Sequence, residues 1–226
     1  NGQLGQALQH IAPDYSGIQF RFFTSKEIDI TIQSTIELVW KQLKPDFCIN
    51  AAAYTAVDKA EKESKKAQSI NVEGVQNLAE VCQAFHTVLL HISTDFVFDG
   101  NKEIPYTETD ITNPQSVYGN TKRGGEFAII NTLQTYFIIR TSWLYSQFGN
   151  NFMKTMLRLA QEKSSISVVD DQTGTPTHAI DLAKMLLTII QSKSKAYGIY
   201  HFSNQGSTSW HGFAKKIFEL KHVAIT

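Results

Sequence analysis

The chain has 226 residues, 42% of them apolar, enough to bury a substantial core as one large domain or as a domain with a smaller lobe. Lys plus Arg and Asp plus Glu each number 21, so the net charge is zero and gives no global electrostatic case for binding nucleic acid or an anionic membrane. No apolar run approaches the ~20 residues needed to span a bilayer, and no secretory signal is visible.

The first ten residues, NGQLGQALQH, place Gly2 and Gly5 three apart and run into a helical pattern. This reads as the end of a G-x-x-G-x-x-G turn, in which backbone N–H groups approach a dinucleotide pyrophosphate; Asn-Gly before a helix is also an ordinary turn. Ile18–Phe23 reads as a strand and Thr31–Leu43 as an amphipathic helix with Ile32, Ile36, Val39, Trp40 and Leu43 on one face. Asp46–Ala53 is a strand introduced by Pro45. A polar segment, Asp58–Lys66, leads into a long helix, Ala67–Phe85. Thr87–Ser93 is nearly all apolar, as a strand covered on both faces should be. Val117–Ile130 reads as helix and Tyr136–Trp143 as strand.

After Trp143 the rhythm loosens into helix Phe152–Glu162, short strand Ile166–Asp171, helix Ile180–Gln191, strand Gly198–Phe202 and helix Ser209–Leu220. The alternation predicts an α/β fold: a Rossmann-like, mostly parallel sheet with helices on both faces, plus a smaller C-terminal lobe. The expected division is 1–146 for the sheet domain and 147–226 for the lobe, partly interleaved with it. Cys48 and Cys82 read as reduced, buried thiols of a cytoplasmic protein. They are too few for a structural zinc site, and the seven histidines form no H-x-x-x-H pair, so no metal site is expected.

Ligands in open parallel sheets bind beyond the carboxyl ends of the strands. Three strands end there in short polar or small segments: NAAAYTAVD, STDFVFDG and RTSWLY. Tyr118 and Lys122 lie four apart at the start of a helix, which puts phenol and ammonium on one face. A phenol near pKa ~10 works poorly in proton transfer at neutral pH unless a cation stabilises its phenolate, and Lys122 is expected to supply that charge. A Tyr–Lys pair at this spacing also arises by chance on helix surfaces. Thr94, at a strand end upstream, adds a hydroxyl that could hold the carbonyl oxygen Tyr118 protonates. Together with the glycine fragment, the set suits hydride transfer from a nicotinamide to a ketone.

The ordered segments NGQLG, NAAAYTAVDKAE, INVEGVQNLA, HISTDFVFDG, PYTETDITNPQSVYGNTKRGGE, RTSWLYSQFGNNFMKTM and VVDDQTGTPTHAIDLA resemble the dTDP-4-dehydrorhamnose reductases, which are extended short-chain dehydrogenase/reductases. The resemblance implies that NADPH, or NADH in some members, reduces the C4 ketone of dTDP-4-dehydro-β-L-rhamnose. It places Thr94, Tyr118 and Lys122 on the catalytic triad. Gly2, Gln3 and Leu4 fall on the pyrophosphate turn, Asp29 and Ile30 on the adenosine side, and Ala51, Ala52 and Tyr54 beside the nicotinamide half, with Tyr118 and Lys122 also at the cofactor. Thr94, Asp95, Tyr118, Trp143 and Asn151 fall on substrate contacts. The C-terminal lobe then binds substrate, and a homodimer is compatible with the family.

The same resemblance predicts a short strand ahead of Asn1 and further residues after Thr226. About 20 residues after the glycine turn, where an acidic residue would hold a ribose 2′-hydroxyl, the chain reads Thr24-Ser25-Lys26. Two hydroxyls and a cation favour NADPH, although Glu27 and Asp29 are close. Two alternatives share the scaffold: a nucleotide-sugar epimerase or dehydratase, and a non-catalytic nucleotide-binding regulatory subunit. Elimination needs an acid and a base, which related dehydratases place as Asp-Glu directly after the Thr; here Phe96 follows Asp95, which disfavours a dehydratase.

Overall fold

The computed structural model describes residues 1–223. In chain order the elements are α1 (Gln3–Ile11), α2 (Gln33–Leu43), β1 (Phe47–Asn50), α3 (Val57–Ala60), α4 (Ser64–Gln68) and α5 (Gly74–Ala84). Then come β2 (Val88–Thr94), α6 (Val117–Thr132), β3 (Tyr136–Thr141), β4 (Leu144–Tyr145) and α7 (Phe152–Glu162). The remainder is β5 (Thr173–Gly174), β6 (Thr177–His178), α8 (Ala179–Ser192), β7 (Gly198–His201), β8 (Thr208–Ser209) and α9 (Trp210–Leu220). Among the described residues, no helix is long and apolar enough to cross a membrane.

These elements group into two compact units that are interleaved in the chain. One comprises Arg21–Thr141 with Ile189–His201; the other takes Asn1–Phe20, Ser142–Thr188 and the residues from Phe202 onward. Chain crossings therefore fall near residues 20, 141, 188 and 201.

The first unit is built on a four-stranded parallel sheet in the order β1-β2-β3-β7. Parallel pairing needs crossovers, and α5 and α6 supply two of them. Central strand β2 buries Leu89, Leu90 and His91 completely, which accounts for its largely apolar composition. A core of Leu89 and Ile138 from the sheet, Ile36 and Trp40 from α2, Val75, Leu78 and Cys82 from α5, and Ile129 from α6 holds these helices against the strands. Cys48 packs against the same cluster, and both cysteines are free thiols.

Helix α6 starts where the Ser116 hydroxyl accepts from the Gly119 N–H at 3.1 Å, an N-cap that ends the preceding loop. Its glycines, poor helix formers, are explained by close approach: a Cβ at Gly119 would meet the Phe96 carbonyl oxygen at 2.2 Å, and one at Gly125 the Asn71 carbonyl oxygen at 2.3 Å. The expected helix Ala67–Phe85 is interrupted by a π-turn, Ser69–Glu73, and its N-terminal part begins earlier, at Ser64.

In the second unit, β4 pairs with β6 in parallel and β5 with β8 antiparallel, while α7 and α9 share a core of Met156, Ala214, Ile217 and Phe218.

Two expected strands are absent from the sheets. Ile18–Phe23 joins none of the three, and Phe22 and Phe23 are exposed. Ile166–Asp171 alternates as a strand should, with Ile166 and Val168 packed on the α7–α9 core, but forms no ladder. Alternation reports which side chains are buried; a strand also requires a neighbour with free backbone groups in register, which no local pattern encodes.

Candidate active site

Helix α6 aims Tyr118, Lys122 and Glu126 at the sheet from successive turns, as spacing of i, i+4 and i+8 requires; all three are buried. Thr94 ends β2, and its hydroxyl accepts from the Phe96 N–H at 3.2 Å and donates to Asp95 Oδ1 at 3.0 Å, fixing the turn Asp95–Val97. The Thr94 hydroxyl is near enough to the Tyr118 phenol to act on its pKa, and the Tyr118 ring packs edge-on against Phe96, with ring centroids 5.5 Å apart. Lys122 Nζ donates to the Ile92 carbonyl at 2.7 Å and lies 3.3 Å from His91 Nε2.

Burial dominates the electrostatics of this group. It pushes the Tyr118 phenol up to about 12, partly offset by Thr94 and reinforced by the Asp95 charge. It lowers Lys122 to about 8 against the opposing pull of Glu126. His91 falls well below the usual imidazole range, through burial and then the Lys122 charge. Asp95 rises to about 6, again through burial, with hydrogen bonds from Thr94 and the backbone acting the other way.

Burial raises the Tyr118 phenol where Lys122 was expected to lower it, and the Lys122 Nζ is turned into β2.

Of the residues expected at the cofactor, Ala51 and Ala52 are exposed directly beyond β1, where small side chains leave the backbone open. Tyr54 is buried instead: its backbone N–H and C=O are clamped by the Asn71 amide at 2.8 and 3.0 Å, and its hydroxyl reaches Glu63 at 3.1 Å. Asp29 Oδ1 accepts from the Thr31 backbone and hydroxyl at 3.0 and 2.8 Å, a turn-forming role. The Ile30 carbonyl accepts from Asn77 at 3.0 Å. In the turn Thr24–Glu27, the Thr24 N–H and hydroxyl hold the Glu27 carboxylate at 2.7 and 2.8 Å and lower its pKa. Ser25 and Lys26 project into solvent beside it, a donor set that fits a ribose 2′-phosphate.

The remaining expected residues belong to the second unit. Gly2 precedes α1 as its N-cap residue, with extended backbone, and Leu4 is buried. Gln3 uses its side chain internally: Nε2 donates to the Leu144 carbonyl at 3.2 Å, and Oε1 accepts from Ser146 at 3.1 Å and Asn151 at 2.9 Å. Asn151 caps α7 by accepting from the Lys154 N–H at 3.1 Å, and its amide also donates to the Ser146 carbonyl at 2.7 Å. Trp143 has φ of 47°, in the left-handed region, and stacks on Trp210 with centroids 3.5 Å apart and planes 11° from parallel. Gly174 lies so close that a Cβ there would sit 2.6 Å from the indole.

Sequence reading missed Asn50, Asn71, His91, Glu126 and Arg140, all of them buried polar groups of the first unit. Asn71 sits in the π-turn, an irregularity that frequently marks functional sites, and also donates to Thr121 at 3.0 Å. His91 and Ser93 were the available signal, as polar residues two apart in an otherwise apolar strand.

Comparison with known proteins agrees with this geometry. The family described as RmlD substrate binding domain matches residues 1–225. The dTDP-4-dehydrorhamnose reductase of Aggregatibacter actinomycetemcomitans is 43% identical over 96% of this chain and 76% of that protein. The Escherichia coli protein of the same name is 40% identical over 96% and 75%. The crystal structure of dTDP-4-dehydrorhamnose reductase from Bacillus anthracis in complex with NADP superposes with a TM-score of 0.95 at 43% identity, over 100% of this chain and 79% of that one. The chain belongs to the dTDP-4-dehydrorhamnose reductase family, NADPH-dependent oxidoreductases on a Rossmann-like α/β fold.

Proposed function

We propose that this protein reduces the C4 ketone of dTDP-4-dehydro-β-L-rhamnose to the alcohol of dTDP-L-rhamnose, with Tyr118 as the proton donor. The bound nicotinamide supplies the hydride that adds to C4. On the protein side, the Thr94 hydroxyl donates to the carbonyl oxygen and Tyr118 transfers its phenolic proton to that oxygen as charge develops there. Lys122, one turn along α6, carries the positive charge that offsets the resulting phenolate. Ala51 and Ala52 line the nicotinamide side, and Ser25 and Lys26 meet the 2′-phosphate. Gly2–Leu4 offer backbone N–H groups to the pyrophosphate, with the Gln3 side chain holding the Ser146–Asn151 turn.

The single observation that supports this reading is the burial of Tyr118 and Lys122 one turn apart on α6, beside the buried Thr94 that ends β2. Residues 1–146 are read as the cofactor domain and residues 147–226 as the substrate lobe. Trp143 offers the sugar an apolar ring face. An NADPH cofactor and a sugar-nucleotide substrate support a cytoplasmic location.

The test is NADPH oxidation followed near 340 nm (~, reduced nicotinamide absorption) with the 4-keto sugar nucleotide, and product identification by mass. Oxidation with a gain of two hydrogens in the sugar supports the reductase. Loss of water from the sugar without net NADPH consumption would point to a dehydratase. Tight NADPH binding without turnover would point to a regulatory subunit.

A further inference from the structure

His91 takes no part in the proton transfer just described, yet it is fully buried between two polar groups. Asn50 and His91 are register partners on β1 and β2. The Ala52 N–H donates to Asn50 Oδ1 at 3.0 Å, which leaves the amide nitrogen, Nδ2, facing His91 Nδ1 at 3.0 Å. An NH₂ group can only donate, so Nδ1 must present its lone pair. In a neutral imidazole the proton then resides on Nε2. That Nε2 lies 3.3 Å from Lys122 Nζ, whose other contact is the Ile92 carbonyl at 2.7 Å.

An ammonium at Nζ would meet the Nε2–H as donor against donor; an amine accepts it. We propose that Asn50 and His91 are positioning residues that lock one imidazole tautomer and thereby favour the amine form of Lys122 over the ammonium as pH rises. The lowered pKa of Lys122 has the same direction.

The charged and titratable groups around this chain are few. From α6 there are Glu126 and Tyr118. Glu126 is itself paired with Arg140 of β3, and Asp95, just past β2, acts on Tyr118. Asn50 and Asn71 contribute no charge. The unusual member is therefore the imidazole N–H aimed at a lysine. Because the ammonium form of Lys122 is what offsets the phenolate in the proposed reaction, the inference rests on that reading, and the Asn50–His91 pair sets the upper pH at which the free enzyme is competent.

The experiment is long-range ¹H–¹⁵N correlation of ¹⁵N-histidine-labelled protein at neutral pH, with the His91 signals assigned by their loss in His91→Gln. Protonation at Nε2 alone is expected. A proton on Nδ1, or an imidazolium, overturns the proposal. Asn50→Asp provides the second arm, because its carboxylate accepts from both Ala52 N–H and Nδ1–H. It should move the imidazole proton to Nδ1 and shift the falling alkaline limb of kcat/KM upward by about one pH unit or more. An unmoved tautomer in a folded Asn50→Asp protein also counts against it. Lys122→Met separates the two readings: retained turnover removes Lys122 from the reaction while leaving the tautomer result to stand on its own.

Discussion

Glu126 and Arg140 form a two-pronged ion pair inside the protein: Nε to Oε1 at 3.0 Å and Nη2 to Oε2 at 2.7 Å, with both side chains at most 5% exposed. The same carboxylate accepts from Ser93 Oγ at 2.5 Å, and Ser93 and Arg140 are register partners on β2 and β3. The pair thus pins α6 to two strands one turn beyond Lys122. Removing one partner leaves a buried charge without its counterion, so Glu126→Gln should destabilise the fold by about 3 kcal/mol or more. Chemical denaturation checks this. Arg140→Met added to Glu126→Gln should recover most of the loss.

Tyr118→Phe removes only a hydroxyl at the edge of the site. It should lower kcat by about 10²–10⁴-fold while leaving NADPH affinity and the melting temperature nearly unchanged. Steady-state kinetics and a cofactor titration read this out, and turnover within tenfold of wild type would remove Tyr118 from the chemistry.

Thr94 has two separable roles, at the reacting oxygen and as cap of the turn after β2. Thr94→Val should cost about 1 kcal/mol in stability through the lost cap and roughly 10²-fold in kcat through the lost donor. Thr94→Ser should restore both within a few-fold.

Gly119 sits against the Phe96 carbonyl, and a methyl there must displace either α6 or the Thr94–Phe96 turn. Gly119→Ala should cost about 1–3 kcal/mol by overpacking. Because it separates Thr94 from Tyr118, it should also lower kcat more than it raises KM. Comparison of the two constants at matched folding tests this.

Asp95, held near pKa about 6 by burial, binds its proton more tightly folded than unfolded, where the ordinary value is 3.8. Its contribution to stability is therefore present at acid pH and is lost as pH rises from about 4 through 6. Asp95→Asn keeps an acceptor for Thr94 and should be more stable than wild type at pH 7 by on the order of 1–3 kcal/mol, with the gap closing below pH ~4. Denaturation midpoints across that range measure it.

The sequence by itself determined the α/β class, the approximate position of most helices and of four parallel strands, and the placement of Tyr118 and Lys122 on one face of α6. It could do so because burial periodicity and i, i+4 spacing are local properties. Tertiary structure alone decided that Ile166–Asp171 forms no ladder, because a strand also needs a neighbouring backbone in register. It also decided that Lys122 points into β2, where the Ile92 carbonyl and His91, 30 and 31 residues away in the chain, meet its Nζ only once α6 packs on the sheet. Side-chain charge states follow from burial, and burial is a property of the assembled core.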